Sequence, residues 1–165
     1  MADLSNAQNT LLKIKEHIPF FSHLSDGEVL TITHNVQFKR YNKFEMVFEQ
    51  ESGGAEAYIV LRGKVNIAVG ELQRIGLLER YTNFKTIVNL PVKSVFGEMS
   101  AITGEKRSAR ASAYAEDTML LSFRIDDNIT STNAKVFIKM YKKLIGILSD
   151  KLRHTNQTAL NNNRN

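Results

Sequence analysis

The chain has 165 residues, 42% of them hydrophobic and 24% charged, with a formal net charge of +5. That is apolar material for one core and too little for two. The absence of cysteine excludes disulfides and thiolate metal sites, and no stretch approaches the roughly 20 apolar residues a bilayer span needs.

The polar start, MADLSNAQNTLLKIKEH, does not read as a signal peptide. A cytoplasmic protein with no membrane partner is therefore expected. Residues 7–18 place Leu11, Ile14 and Ile18 at helical spacing, within or beside an N-terminal helical extension over residues 1–14. Ser25 with Glu28 fits a capping box, followed by Val29, Leu30 and Ile32 as the apolar face of a short helix.

From Val36 the period changes to two: Val36 and Phe38 alternate with Gln37 and Lys39. Met46, Val47 and Phe48 form a short apolar run, punctuated by Ser52-Gly53-Gly54. Ile59 and Leu61 alternate before Arg62-Gly63, and Val65, Ile67 and Val69 after it, which predicts a hairpin. Residues 71–84 fit either a longer strand pair or a helical excursion. Leu121, Phe123 and Ile125 alternate again. Strands this short and closely spaced imply an antiparallel sandwich or barrel-like roll.

Residues 131–157 read as one long helix. Ile138, Tyr141, Ile145, Leu148, Leu152 and Thr155 form a coiled-coil-like seam, and Val136, Met140, Leu144 and Ile147 a second apolar face. Two faces need two things to pack on, unless they merge into one broad buried face. Lys139, Lys142 and Lys143 read as the wet side of this helix. The polar tail, residues 158–165, is expected to be disordered, leaving one domain over residues 1–157.

Residues 96–113, FGEMSAITGEKRSARASA, carry the chemistry. Gly97 lets backbone come close to a ligand. Glu98, ionised, is an acceptor-only carboxylate suited to paired hydroxyls such as those of a ribose. Met99, Ala101 and Ile102 fit a short helical turn whose unpaired N–H groups favour an anion, and Gly104 ends it. Arg107 has a permanently charged planar fork that matches a phosphate, with Ser108 beside it. The small residues Ala109, Ala111 and Ala113 follow as a strand. The arginine and two N–H groups would supply about 4–6 of the roughly 8 kcal/mol of a micromolar affinity. On spacing alone, Glu98 and Arg107 read instead as a surface acid and a surface base on a loop.

The motifs together resemble the cyclic-nucleotide-binding domains of the catabolite activator protein, protein kinase A regulatory subunits and cyclic-nucleotide-gated channels. Phe96-Gly97-Glu98, Gly104 and Arg107-Ser108-Ala109 are similar in order and spacing to that family's phosphate-binding cassette. Residues 58–65, YIVLRGKV, look like its hairpin signature, and residues 18–24 and 120–126 fit too. The resemblance spans about residues 15–157 and reverses the reading of the cassette toward ligand binding.

It implies a mainly β fold with flanking helices: an antiparallel double-stranded, jelly-roll-like β-roll with N-terminal helices and a long C-terminal helix. Glu98 would take the ribose 2′-hydroxyl and Arg107 the cyclic phosphate. Phe96, Gly97, Met99, Ser100, Ser108, Ala109 and the hairpin's Leu61 would complete the site. Lys151 and Thr155 fall where such helices reach over the base, with Asn156 serving a neighbouring subunit; they read equally as ordinary polar positions near a helix end.

Three departures stand out. Residues 90–94, LPVKS, lack the family's turn glycines, and Lys106 stands where many members have proline. Arg110 sits where cyclic-GMP-selective members often carry threonine, which favours cyclic AMP over cyclic GMP as ligand, with no other cofactor.

His17, His23, His34 and His154 have no metal-ligand spacing, and no nucleophile or nucleotide-hydrolase motif is present. The chain is therefore not read as an enzyme. No helix-turn-helix, kinase or channel segment is read either, so no direct DNA binding is expected. Unless the chain is a piece of a longer protein, the module would act through a homodimer formed by residues 136–155 or a separate output protein. The alternative is a degenerate domain serving ligand-independent interaction.

Overall fold

The computed structural model describes residues 2–75, 78–124 and 133–162. They fall into two compact units, a helical one drawn from both ends of the chain and a β unit from residue 34 onward.

The helical unit begins with α1 (Ala2–His17), which takes in both the expected helical extension and the helical spacing from residue 7. Pro19 cannot donate to a continuing helix, and the chain turns into a 3-10 segment, Pro19–Phe21. Helix α2 (Asp26–Thr31) starts at the expected capping box. Ser25 N donates to Glu28 Oε2 (2.8 Å) and Glu28 N to Ser25 Oγ (3.3 Å). Glu28 also accepts from Lys139 Nζ at 2.6 Å, tying α2 to the long helix.

That helix, α4, runs Ala134–Asn162. It continues five residues past the expected end at Gln157, because residues 158–161 hold no glycine or proline to stop it. The Thr158 hydroxyl bonds the His154 carbonyl at 3.0 Å. Residues 131–132 and 163–165, part of the expected helix start and of the tail, lie outside the described residues. Val136, Phe137, Met140 and Leu144 are buried, whereas Ile138, Ile145 and Leu152 are exposed. The two sequence faces therefore do not merge.

The β unit contains β1 (Val36–Tyr41), β2 (Met46–Phe48), β3 (Glu56–Arg62), β4 (Val65–Ile75), β5 (Leu78–Leu90), β6 (Val95–Phe96), the short helix α3 (Glu98–Thr103), β7 (Arg110–Ala113) and β8 (Thr118–Arg124). They form two antiparallel four-stranded sheets, ordered β1-β8-β3-β6 and β2-β7-β4-β5. This is the expected roll. Tyr58, Val60, Val65, Phe96, Ala111 and Leu120 form its core, with Phe48, Ile67 and Leu90 packed against them.

Arg62-Gly63 makes a tight turn where one was expected, but the strands it joins are not a hairpin: β3 pairs with β6 and β8, β4 pairs with β5 and β7, and the chain crosses from one sheet to the other. Gly63 has φ +82°, and a Cβ there would sit 2.5 Å from Thr118 Oγ1. Residues 71–75 and 78–84 resolve as strand: Glu71 faces Thr82, Leu72 Tyr81, Gln73 Arg80 and Arg74 Glu79. The glycine-poor turn before the cassette is accommodated by Lys93, which itself takes a left-handed conformation (φ +74°). Ile125 and Asp126 of the expected last strand lie outside the described residues.

Candidate functional site

One end of the roll is closed by residues 49–55, leading into β3, and by residues 97–109, joining β6 to β7 through α3. Left-handed glycines bound α3, Gly97 (φ +71°) and Gly104 (φ +72°). Between this helix and β7, Arg107 turns inward. Its backbone is pinned by Arg107 N donating to Ser52 O (2.9 Å) and Glu51 N donating to Arg107 O (2.8 Å).

The Arg107 side chain is only 2% exposed. Nη1 donates to Gly97 O (2.9 Å) and Nη2 to Glu56 O (2.8 Å), with the Glu56 carboxylate 3.7 Å away. Its plane lies over the Phe48 ring at 4.3 Å, with Tyr58 at 5.7 Å. These rings belong to an aromatic group completed by Phe96, stacked on Tyr58 with centroids 5.2 Å apart.

Two glycines make room for this cation. A Cβ at Gly54 would lie 2.6 Å from Nη2, and one at Gly97 2.8 Å from Nη1. Gly97 was expected to admit a ligand to its backbone; the group it admits in this structure is the Arg107 guanidinium.

Burial pushes the Arg107 pKa down, opposed by Tyr58, Glu56 and Glu98. A guanidinium stays protonated regardless, so the site holds a desolvated positive charge. Two of its five N–H groups serve carbonyls, and Nε–H, itself buried, has no hydrogen-bond partner among the described residues. Burial above all, then Glu56, raises the Tyr58 pKa. Burial, reinforced by Tyr58, pushes Tyr41 to about 12. Both phenols are neutral near pH 7.

Glu98, first residue of α3, is buried, as is Ser100. Glu98 is near enough to Arg107 for its charge to favour the guanidinium, so the expected acid and base come together. Met99 and Ser108 are exposed and adjacent, Ser108 Oγ lying 3.8 Å from Met99 Sδ. Ala109 and Leu61 are half-buried. Phe96 sits in the core as part of the arginine's aromatic support.

Lys151, Thr155 and Asn156 belong to the exposed part of α4 in the helical unit, where the Thr155 hydroxyl bonds the Lys151 carbonyl at 3.0 Å. Arg110 lies with its guanidinium 3.6 Å over the Phe84 ring. Sequence reasoning missed Phe48, Gly54 and Glu56 as the arginine's cage. The Gly53-Gly54 pair was a visible signal, but it read only as punctuation.

An arginine with unused donors beside a buried carboxylate can hold an anion that also carries hydroxyls. No cluster of three or more potential metal ligands occurs among the described residues. None of the described helices is long and apolar enough to cross a membrane.

No family model matches the chain. It is similar in structure to a cyclic nucleotide-binding domain from Methylobacillus flagellatus, with TM-score 0.73 and 22% identity over 94% of this chain and 83% of that one. It is also similar to the Toxoplasma gondii PKA regulatory domain crystallised with cAMP, with TM-score 0.65 and 14% identity over 91% of this chain and 51% of that one. In sequence it is 26% identical over 122 residues to the cGMP-dependent 3′,5′-cGMP phosphodiesterase A of Dictyostelium discoideum. The match covers 74% of this chain but 12% of that relative.

Proposed function

We propose that this chain, which has the fold of a cyclic-nucleotide-binding domain, binds a cyclic mononucleotide at the end of the roll formed by residues 97–109. The observation that carries the reading is Arg107: a buried cation whose Nε–H is unpartnered, next to the buried Glu98. A cyclic phosphate would take the open edge of the guanidinium and the ribose hydroxyl would donate to Glu98. Met99, Ser100, Ser108, Ala109 and Leu61 line or support that space. Lys151, Thr155 and Asn156 remain candidates for contacts to the base.

Cyclic AMP is favoured over cyclic GMP on the family resemblance alone, in which cyclic-GMP-selective members often carry threonine at the position of Arg110. The PKA domain was crystallised with cAMP and the Dictyostelium relative is named for cGMP, so both belong in the test. The chain acts as a cytoplasmic sensor rather than an enzyme, and its output runs through α4. The exposed Ile138, Ile145 and Leu152 suit a homodimer through residues 136–155 or docking of an output protein.

The ligand-independent reading is favoured by one observation: protein carbonyls and Glu56 already engage Arg107. Isothermal titration with cyclic AMP and cyclic GMP separates the two. Micromolar binding of either supports the sensor, and heat from neither leaves the interaction module.

A further inference from the structure

The opposite end of the roll is closed by four turns: residues 42–45, 63–64, 91–94 and 114–117. They share one end because Tyr41 faces Thr118, and Val65 faces both Ala113 and Leu90. Backbone bonds join them: Phe44 N to Ala113 O, Tyr114 N to Lys64 O and Lys93 N to Val60 O, each 2.8 Å.

Phe44, near the apex of the first turn, is doubly unfavourable. Its φ is +66°, a region that costs a bulky residue strain, and 69% of it is exposed. Neither the backbone nor the core gains from a phenylalanine there. Tyr114 (45% exposed) and Val92 (42%) belong to the same end, so three apolar groups meet water together.

The charge around them is net positive. Asp117 is ion-paired with Arg40 and Arg62. Glu45 accepts from Asn42 N (2.8 Å) and Glu116 from Lys43 N (3.4 Å). Lys64 and Lys93 are exposed without a carboxylate partner among the described residues, and Lys43 Nζ lies 5.1 Å over the Phe44 ring. Glu45 and Glu116 keep their charge, so Arg40, Arg62, Lys43, Lys64 and Lys93 against Glu45, Glu116 and Asp117 leave this end at +2, with three lysines on the turns that carry the apolar groups.

We propose that this end of the roll docks peripherally on a bilayer bearing anionic lipid. Phe44 enters the headgroup region, flanked by Tyr114 and Val92, while Lys43, Lys64 and Lys93 meet the lipid charge. Aromatic groups ringed by lysine have this interfacial preference. All four residues of the Phe44 turn are exposed, so the turn offers a protruding tip rather than a groove for a peptide. The expectation of no membrane partner rested on the lack of a span, which a surface contact does not need. The Arg107 site lies at the far end of the roll, so docking leaves it uncovered.

Vesicles of phosphatidylcholine with and without phosphatidylserine, sedimented with the full chain, test this. Retention should require phosphatidylserine and weaken with salt. Phe44→Asn should lower it about tenfold, and changing Lys43, Lys64 and Lys93 together to glutamine should abolish it. Asparagine tolerates a positive φ, so Phe44→Asn should leave Tm unchanged or raised. No retention of the wild type, equal retention without phosphatidylserine, undiminished retention of either variant, or a lowered Tm for Phe44→Asn would each overturn the proposal. So would capture of soluble polyglutamate without vesicle binding, which would assign the lysines to an acidic protein partner.

Discussion

Replacing Gly54 with alanine isolates the arginine's slot. Gly54 does not adopt a positive φ, so the change adds no backbone strain of that kind. The new Cβ would sit 2.6 Å from Arg107 Nη2, 3.0 Å from Nε and 3.1 Å from Cζ, and it meets no other group as closely. The guanidinium is the group that must yield, and it cannot swing aside without cost. Moving it loosens bonds to Gly97 O and Glu56 O and its stack on Phe48. Overpacking of this kind costs about 1–3 kcal/mol, which for a domain of this size lowers Tm by roughly 2–12 °C. Ligand affinity should fall about tenfold or more, since the phosphate-facing group is displaced. A double-mutant cycle with Arg107→Ala, read by urea unfolding, makes the argument specific. With the guanidinium gone, Gly54→Ala should cost under about 0.5 kcal/mol. An equal cost in both backgrounds would refute the proposed clash.

Ser25→Ala removes one half of the capping box and should destabilise the chain by about 1 kcal/mol in chemical denaturation. Leu144→Ala truncates a fully buried residue of α4 and should cost about 2–5 kcal/mol by the same measurement. The His23 pKa is held below the ordinary imidazole value, first by burial and then by the Lys143 charge. Its neutral form is therefore favoured in the folded state. The stability it contributes is present above the unfolded-state pKa and lost as pH falls through that value toward the depressed one. A Tm series from neutral pH to about pH 5 should decline less in His23→Gln than in the wild type. If α4 pairs with a second copy, Leu152→Asp should lower the mass measured by light scattering without lowering helix content, because Leu152 is exposed within the chain.

The strands and turn around Gly63, the capping box and the long helix were legible because each is a local pattern: period two, a three-residue spacing from Ser25, and steps of three and four along α4. The expected pairing of β3 with β4 was wrong, because which sheet a strand joins depends on partners distant in sequence. Residues 71–74 and 78–84 were not legible, since most of their side chains are exposed and burial imposes no period on a strand with two wet faces. Bulges near Ile67 and Gly70 disturb the alternation further. The Lys93 turn was missed because a lysine at positive φ leaves no trace in sequence comparable to a glycine. The cassette residues were readable in order, and Glu98 and Arg107 do converge. Their surroundings were not readable. Phe48, Gly54 and Glu56 reach Arg107 only after the two loops close on one another, a relation that no local spacing encodes.

Phosphorus NMR of cyclic AMP, titrated with the wild-type chain and with Arg107→Ala, probes the guanidinium–phosphate contact itself. The wild type should shift and broaden the phosphorus resonance, Arg107→Ala should leave it at the free position, and adenosine, lacking phosphate, should fail to compete. An unshifted phosphorus signal despite saturating cyclic AMP, or adenosine binding as tightly as the nucleotide, would contradict the account.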